Sequence, residues 1–161
     1  MLFGDPTGAH GDALTALVET LVRGGVPTLA VPDIRMEIWL KLWGNATMNP
    51  LSALSRADML AMLDDPGVDG LIRAMMAEMA EIGARIGLAV SQDIEARLEV
   101  TRRLGAFRTS MLQDLEAGRR LELGPILGAL VELAARTRVP APTIRGVHGL
   151  ARLLAERLGL D

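Results

Sequence analysis

The chain has 161 residues, of which half are hydrophobic and 23% are charged, and its formal net charge is −3. This length suits one well-packed domain with a small appendage. A balanced and slightly acidic charge argues against a protein that binds the phosphate backbone of nucleic acids. The absence of cysteine excludes disulfide bonds and thiolate chemistry.

The apolar runs of the sequence are too short to cross a membrane, because charged residues interrupt them well before the roughly 18 residues that a span needs. The first residues, Met1–Asp5, form neither a basic leader nor a long apolar segment, so we expect no signal peptide. These features predict a cytoplasmic protein. Aromatic residues make up only 2% of the chain and nine methionines are present, a composition that favours packed helices over a sheet.

Residues 1–33 are predicted to form a strand, a helix and a second strand. The apolar stretches Met1–Phe3 and Pro27–Val31 are the candidate strands, and Gly24-Gly25 is expected to end the helix between them. Two strands and one helix bury too little surface to be stable alone, so this segment has the character of the end of a larger α/β sheet. Because its strand edges would be unpaired, we expect a homodimer that forms through this N-terminal segment. The apolar positions of the helix have helical spacing: Leu14, Leu17, Val18, Leu21 and Val22.

Residues 34–161 are predicted to be helical. Asp65-Pro66 has the form of an N-cap followed by proline at the first helical position, and that helix is expected to end at Gly87. Further helix starts are predicted at Ser91, at a capping box from Ser110 to Gln113 and at Pro125, and Pro140-Ala-Pro142-Thr143 is expected to act as a breaker and cap before the last helix. Two apolar stripes support the longer helices: Val68, Leu71, Ile72, Met75, Met76, Met79, Ile82 and Ile86 in one, and Ile144, Val147, Leu150, Ala151, Leu154 and Leu158 in the other.

Lys41, Asn45 and Asn49 are spaced four residues apart in an otherwise apolar segment that ends at Pro50. On a helix each is displaced by about 40° from the previous one, so the three form a slowly turning polar stripe. A helix that is apolar nearly all round is usually buried, and buried polar groups need partners. The stripe therefore indicates either a ligand site or a core helix with one polar edge, and the pattern leaves both open. Pro50 also frees the carbonyl of Ala46 and predicts a kink.

Two blocks of the sequence resemble the ketopantoate reductase family. The first is DIRMEIWLKLWGNATMNPLSAL, residues 33–54, which is similar to the start of the family's C-terminal domain. The second is SMLQDLEAGRRLEL, residues 110–123, in which a serine followed by Met-Leu-Gln-Asp precedes a glutamate twelve positions beyond the serine. The order and spacing of the blocks also fit, and the similarity extends over residues 34–158.

The resemblance implies a mainly α fold. A helical domain of the 6-phosphogluconate-dehydrogenase-like type is expected over residues 34–161, preceded by a β-α-β remnant of a Rossmann domain over residues 1–33. The implied function is the NADPH-dependent reduction of 2-dehydropantoate (ketopantoate) to pantoate in pantothenate biosynthesis, with a small 2-oxo acid as the substrate.

The same resemblance implies roles for five residues. Lys41 is expected to protonate the carbonyl oxygen while hydride arrives from NADPH, and Glu122 to hold that lysine and contact the substrate. Asn45, Asn49 and Ser110 are expected to bind the hydroxyl and carboxylate end. An ammonium can stabilise and protonate the alkoxide that forms, and amides and a hydroxyl satisfy substrate oxygens without adding charge. Without the resemblance, Glu122 is interpreted as a surface carboxylate and Ser110 as a helix cap.

The nucleotide-binding motif Gly-x-Gly-x-x-Gly does not occur in the sequence, since the glycines between Gly4 and Gly11 lack its spacing. We therefore expect these 161 residues to supply the substrate half, to bind NADPH poorly and to reduce nothing by themselves. His10 and His148 are far apart with no ligand spacing near them, so no metal site is expected. The alternatives are a reductase of another 2-oxo acid and a non-enzymatic helical module for ligand binding or dimerisation.

Overall fold

Two compact units, Met1–Lys41 and Leu42–Asp161, make up the chain in the computed structural model. The structure describes residues 1–9, 11–91 and 93–160. The fold is mainly helical with two short strands, which confirms the predicted fold class. The domain boundary expected between residues 33 and 34 stays a prediction.

The first unit contains the expected strand, helix and strand. β1 (Leu2–Phe3) pairs in parallel with β2 (Leu29–Ala30), and α1 (Asp12–Arg23) connects them. The ladder aligns Leu2 with Leu29 and is shorter than the apolar stretches suggested. None of the residues of α1 is fully buried, and Leu17 on its apolar face is 45% exposed. The first unit therefore has little core of its own.

The helix α2 (Ile34–Ser55) carries the polar stripe and runs from the first unit into the second. The Asp33 carboxylate accepts a hydrogen bond at 2.9 Å from a backbone N–H of the first turn, as a helix cap does. Within the second unit, the Trp43 indole is 1% exposed and donates from Nε1 to the carbonyl oxygen of Met76 at 2.9 Å. Met76 lies on α4 (Pro66–Arg85), so this bond fixes α2 against α4.

At the centre of the second unit, α4 begins where the sequence predicts. Asp65 accepts hydrogen bonds from the backbone N–H groups of Gly67 and Val68, both at 2.9 Å, and Pro66 is the first helical residue. The other helices of this unit are α3 (Met59–Asp64), α5 (Ile94–Arg103), α6 (Ser110–Glu116), α7 (Ala129–Thr137) and α8 (Pro142–Leu158). α4 packs on α3, α5, α7 and α8. The largest fully buried side chains of the core are Trp43, Met62, Ile72, Met75, Met76, Met79, Ile82, Leu112, Leu127, Leu130 and Ile144.

Two helix caps differ from the prediction. α5 begins after Asp93 rather than Ser91, and Asp93 makes no side-chain cap. α6 is capped by Thr109, whose Oγ1 accepts a hydrogen bond from the Leu112 N–H at 3.2 Å, so Ser110 is the first helical residue. Thr109 is buried whereas Ser110 is exposed, and a threonine can cap a helix with its hydroxyl while its methyl group packs inward. The capping box predicted from Ser110 is therefore wrong.

The last two helices also depart from the predicted pattern. A π-helical turn, Gly124–Gly128, precedes α7 where a regular helix from Pro125 was expected. In α8, Leu150 is 60% exposed although it was assigned to the apolar stripe. It lies six residues after the buried Ile144, about 240° around the helix, and so on a different face. Leu158 is exposed because it is the last residue of the helix.

The N-terminus of α8 is capped by a side chain that belongs to another helix. The residue at its own N-cap position, Ala141, has no side-chain acceptor. Instead, the two carboxylate oxygens of Glu78, on α4, accept hydrogen bonds from the backbone N–H groups of Thr143 and Ile144, both at 2.9 Å. One side chain therefore satisfies two of the N–H groups that a helix start leaves free, and its charge complements the helix dipole.

Candidate functional site

Asn45 and Asn49 of the polar stripe open into one cavity of the second unit. The cavity has a volume of about 90 Å³. Asn49 is only 7% exposed, and Asn45 is half-buried. We call this space the Arg97 cavity, and its lining residues are Gly44, Asn45, Met48, Asn49, Met59, Arg97, Thr101, Leu104 and Phe107.

The walls of the Arg97 cavity come from α2, α3, α5 and the loop after α5. The loop is fixed to the start of α3, because the Met59 N–H donates to the carbonyl oxygen of Phe107 at 3.1 Å. α2 continues through Pro50 as one helix, which places Asn45 and Asn49 one turn apart on the same wall. The kink expected at Pro50 stays a prediction.

Arg97 is the charged residue of this cavity, and sequence reasoning did not single it out. Its Nε is buried and has no hydrogen-bond partner within the described part of the chain. A Cβ built on Gly44 would lie 2.8 Å from its Nη2, so the absence of a side chain at Gly44 lets the guanidinium lie against α2. The signal that could have found it is a glycine in the middle of a helix of large residues, which often marks a close approach.

Glu122 lies beside a different cavity of the second unit. This cavity, which we call the Glu122 cavity, has a volume of about 440 Å³ and is also lined by Arg120, Leu121, Gly124 and Pro125. Glu122 is exposed and stands just before the π-helical turn. Turns of this kind occur frequently at functional sites.

Lys41 and Ser110 line neither of these two cavities. Ser110 is exposed at the start of α6, and its hydroxyl is not the helix cap because Thr109 has that role. Lys41 is exposed and is the last residue of the first unit, four positions before Asn45 on α2. It is also the only lysine among the 17 basic residues of the sequence, the others being arginine.

The turn between β1 and α1 does not fit the phosphates of a dinucleotide. Asp5 lies in it, and hydrogen bonds from the Thr7 hydroxyl and backbone N–H hold the pKa of that carboxyl below its ordinary value. Asp12 follows in the first turn of α1, so this segment carries two carboxylates, whose negative charge is unfavourable for an anion. Gly4 has a structural reason to be glycine, since a Cβ would lie 2.7 Å from that of Ile34.

The described residues form neither a cluster of metal-ligand side chains nor a membrane-spanning helix. Among residues 1–9, 11–91 and 93–160, no group of three or more histidine, aspartate or glutamate side chains could hold a metal ion; His10 lies outside those residues. None of the helices described is both long and apolar enough to cross a membrane.

Comparison with known proteins gives a consistent family. Residues 33–155 match the family described as "Ketopantoate reductase PanE/ApbA C terminal". A 2-dehydropantoate 2-reductase from Mesorhizobium japonicum is 39% identical over 156 residues, which cover 97% of this chain and 48% of that protein. The crystal structure of 2-dehydropantoate 2-reductase from Methylococcus capsulatus is 33% identical, with a TM-score of 0.91 over 99% of this chain and 56% of that one.

A more distant structure shares the fold. D-mandelate dehydrogenase, solved with NADH and anilino(oxo)acetate, aligns with a TM-score of 0.79 at 18% identity and covers 99% of this chain and 88% of that one. The chain spans about half the length of the curated relatives it matches. The family resemblance inferred from the two sequence blocks is thus confirmed.

Proposed function

The chain belongs to the ketopantoate reductase family, and on that premise we propose that it supplies the substrate half of a 2-dehydropantoate 2-reductase. The reaction proposed is the reduction of ketopantoate to pantoate with NADPH. The observation that carries the proposal is the Arg97 cavity, into which two amides of the polar stripe, Asn45 and Asn49, open together. A concave site that combines apolar walls with a few polar groups suits a small ligand with oxygen atoms at one end.

Lys41 is proposed as the acid. Reduction of a ketone builds negative charge on its oxygen, which an ammonium stabilises and then protonates. Arginine cannot replace lysine in this step because its guanidinium does not give up a proton in proteins. Lys41 is the single lysine of a sequence whose other basic side chains, histidines apart, are arginines, so it is the one side chain of this type that could donate the proton.

The remaining roles follow the family resemblance. Asn45, Asn49 and Ser110 are proposed to bind the hydroxyl and carboxylate end of the substrate, and Glu122 to hold Lys41 and contact the substrate. The location of Glu122 at a cavity beside the π-helical turn is compatible with contact to a ligand. We further propose that the protein is cytoplasmic and that it dimerises through residues 1–33.

The nicotinamide nucleotide supplies hydride in this reaction, and its binding is proposed to need a domain that these 161 residues do not form. The Asp5 and Asp12 carboxylates at the β1–α1 turn disfavour phosphate, and the sequence contains no Gly-x-Gly-x-x-Gly. We therefore propose that the 161-residue chain alone does not catalyse the reduction.

The test joins these residues to the nucleotide-binding half of the Mesorhizobium japonicum relative and follows the oxidation of NADPH by ketopantoate. The fusion is expected to turn over, whereas the 161-residue chain is not. Lys41→Met and Lys41→Arg should both lower kcat by about 10²- to 10⁴-fold, since only lysine can donate the proton. Arg136→Met, on the exposed surface of α7, is the control. A fusion that does not oxidise NADPH with ketopantoate, or a Lys41→Arg variant with full activity, would contradict the proposal.

A reductase of another 2-oxo acid is the second candidate, because Arg97 adds a cation to the cavity that holds the two amides. Comparison of kcat/KM for ketopantoate and for 2-oxo acids of other shapes separates the two candidates. A non-enzymatic helical module is the outcome if the fusion binds such acids and reduces none.

A further inference from the structure

Arg97 has no ion-pair partner among the residues that the structure describes, whereas other arginines near it do. On the same helix, Arg102 pairs with Asp64 and Arg103 with Glu99, and Arg73 of α4 pairs with Asp69 and Glu95. No carboxylate of the described chain lies within ion-pair distance of Arg97, and its buried Nε donates to nothing there. A buried N–H without an acceptor is costly even though the rest of the Arg97 side chain is only partly buried, so this arrangement favours an anion beside the guanidinium.

The Arg97 cavity has the composition that an anion requires. Arg97 is the one charged residue among those that line it, so the lining carries a formal charge of +1 and includes no acid. Asn45 and Asn49 add side-chain amides, each of which offers N–H donors. The guanidinium presents several N–H groups in a plane and so matches a carboxylate better than a point charge does.

The volume of the Arg97 cavity and its apolar lining residues indicate what kind of ligand it can hold. A volume of about 90 Å³ exceeds the roughly 10–15 Å³ that a single water molecule needs by this measure, so the cavity has room for a small ligand group such as a carboxylate. Leu104 and Phe107 are both exposed and line the cavity with Met48. These apolar side chains suit the alkyl part of a ligand whose charged end is inside.

From these observations we propose that the Arg97 cavity is a carboxylate subsite, in which the Arg97 guanidinium binds the carboxylate of a small 2-oxo acid beside the amides of Asn45 and Asn49. The identity of the acid rests on the proposed function, but the subsite itself does not. All of its lining residues belong to the second unit, so ligand binding there can be measured on the 161-residue chain without the nucleotide.

The primary experiment follows the Nε–H signal of Arg97 by NMR, assigned by its loss in Arg97→Gln. Ketopantoate is compared with its neutral lactone, which has the same carbon skeleton and no carboxylate, and with inorganic phosphate at equal ionic strength. Ketopantoate is expected to shift the signal and to bind at least about tenfold more tightly than the lactone or phosphate. Equal binding of acid and lactone, a response to phosphate as strong as to the acid, or no response to ketopantoate would each overturn the proposal.

Variants separate a binding role from a structural one. Arg97→Gln should weaken ketopantoate binding by about 10- to 100-fold, the range for a hydrogen bond to a charged group. Arg97→Lys should recover only part of this loss, because it keeps the charge but not the planar donors. Arg103→Gln, an exposed arginine on the same helix, is the matched control and should bind like the parent. Unchanged binding in Arg97→Gln would contradict the subsite.

Kinetics of the fusion distinguish failure of the subsite from failure of the proposed function. Arg97→Gln is expected to raise KM for ketopantoate by about tenfold or more, with a smaller change in kcat. If the fusion reduces ketopantoate and Arg97→Gln does not change KM, the carboxylate subsite is refuted and the proposed function still stands. If 2-oxo acids shift the Arg97 signal but the fusion reduces none of them, the subsite still stands and the proposed function is refuted.

Discussion

The two compact units differ in how they use their apolar residues. In the first unit, α1 has a regular apolar face but no fully buried residue, and the strands are two residues long. In the second unit, α4 packs on α3, α5, α7 and α8, and five of its large apolar side chains are completely inaccessible: Ile72, Met75, Met76, Met79 and Ile82. Amphipathic spacing therefore predicts which face of a helix is apolar, but stability depends on whether another element covers that face.

The largest effect should come from the core of the second unit. Trp43→Ala removes a fully buried ring and its hydrogen bond to Met76, and should lower the free energy of unfolding by about 3–5 kcal/mol. Leu17→Ala, on the exposed face of α1, should change it by less than about 0.5 kcal/mol. Urea unfolding followed by circular dichroism measures both. If both variants lose the same free energy of unfolding, the proposed difference between the two units is refuted.

A smaller loss is expected at the start of α8. Glu78→Ala leaves the N–H groups of Thr143 and Ile144 without their acceptor, and should lower the free energy of unfolding by about 1–2 kcal/mol, as loss of a helix cap does. Glu81→Ala, an exposed position on the same helix, is the control and should stay within about 0.5 kcal/mol of the parent. If the two variants unfold at the same denaturant concentration, the capping role is excluded.

A substitution at Gly44 tests ligand binding in the second unit separately from its stability. In Gly44→Ala the new methyl group meets Nη2 of Arg97, so the guanidinium should move and ketopantoate binding should weaken. Stability should change by no more than about 1 kcal/mol, since alanine favours the helix. Gly70→Ala, which has open space around it, should gain about 0.5–1 kcal/mol and bind normally. Unaltered binding in Gly44→Ala would show that the close approach has no consequence for the ligand.

The smallest effect concerns the β1–α1 turn. Thr7→Ala removes the hydroxyl hydrogen bond to Asp5, so the pKa of Asp5 should rise toward its ordinary value of 3.8. Because the pKa is lowered in the folded state, the bonds stabilise the turn above the unfolded pKa, and this contribution is lost as pH falls through the folded pKa. An NMR titration of the Asp5 carboxyl carbon below pH 5 measures the shift. An identical titration curve in Thr7→Ala would contradict the assignment.

Features that depend on neighbouring residues were predictable from the sequence. The start of α4 at Asp65-Pro66 is one, because the capping carboxylate, the N–H groups that donate to it and the proline all lie within four positions. The strand-helix-strand order of residues 1–33 is another, since apolar spacing and Gly24-Gly25 specify it locally. The pairing of Asn45 and Asn49 at one cavity also follows from a spacing of four on a helix.

Features that depend on distant contacts were not predictable in the same way. The choice of Thr109 over Ser110 as the cap of α6 reflects which side chain faces the core, because serine is the slightly better N-cap in isolation. Arg97 is 53 residues away from Gly44 in sequence, and nothing local connects them. Glu78 caps a helix that begins 64 positions later, and no local sequence motif predicts such a contact.

The cap that Glu78 provides has a consequence for the order of folding. α8 has no N-terminal acceptor of its own, and a helix without a cap nucleates poorly. Its first turn should therefore become stable only once α4 has formed and brought the carboxylate to it. Since α8 is also the last helix of these residues, the docking of two segments far apart in sequence closes the domain, and we expect this step to be slow compared with the formation of the individual helices.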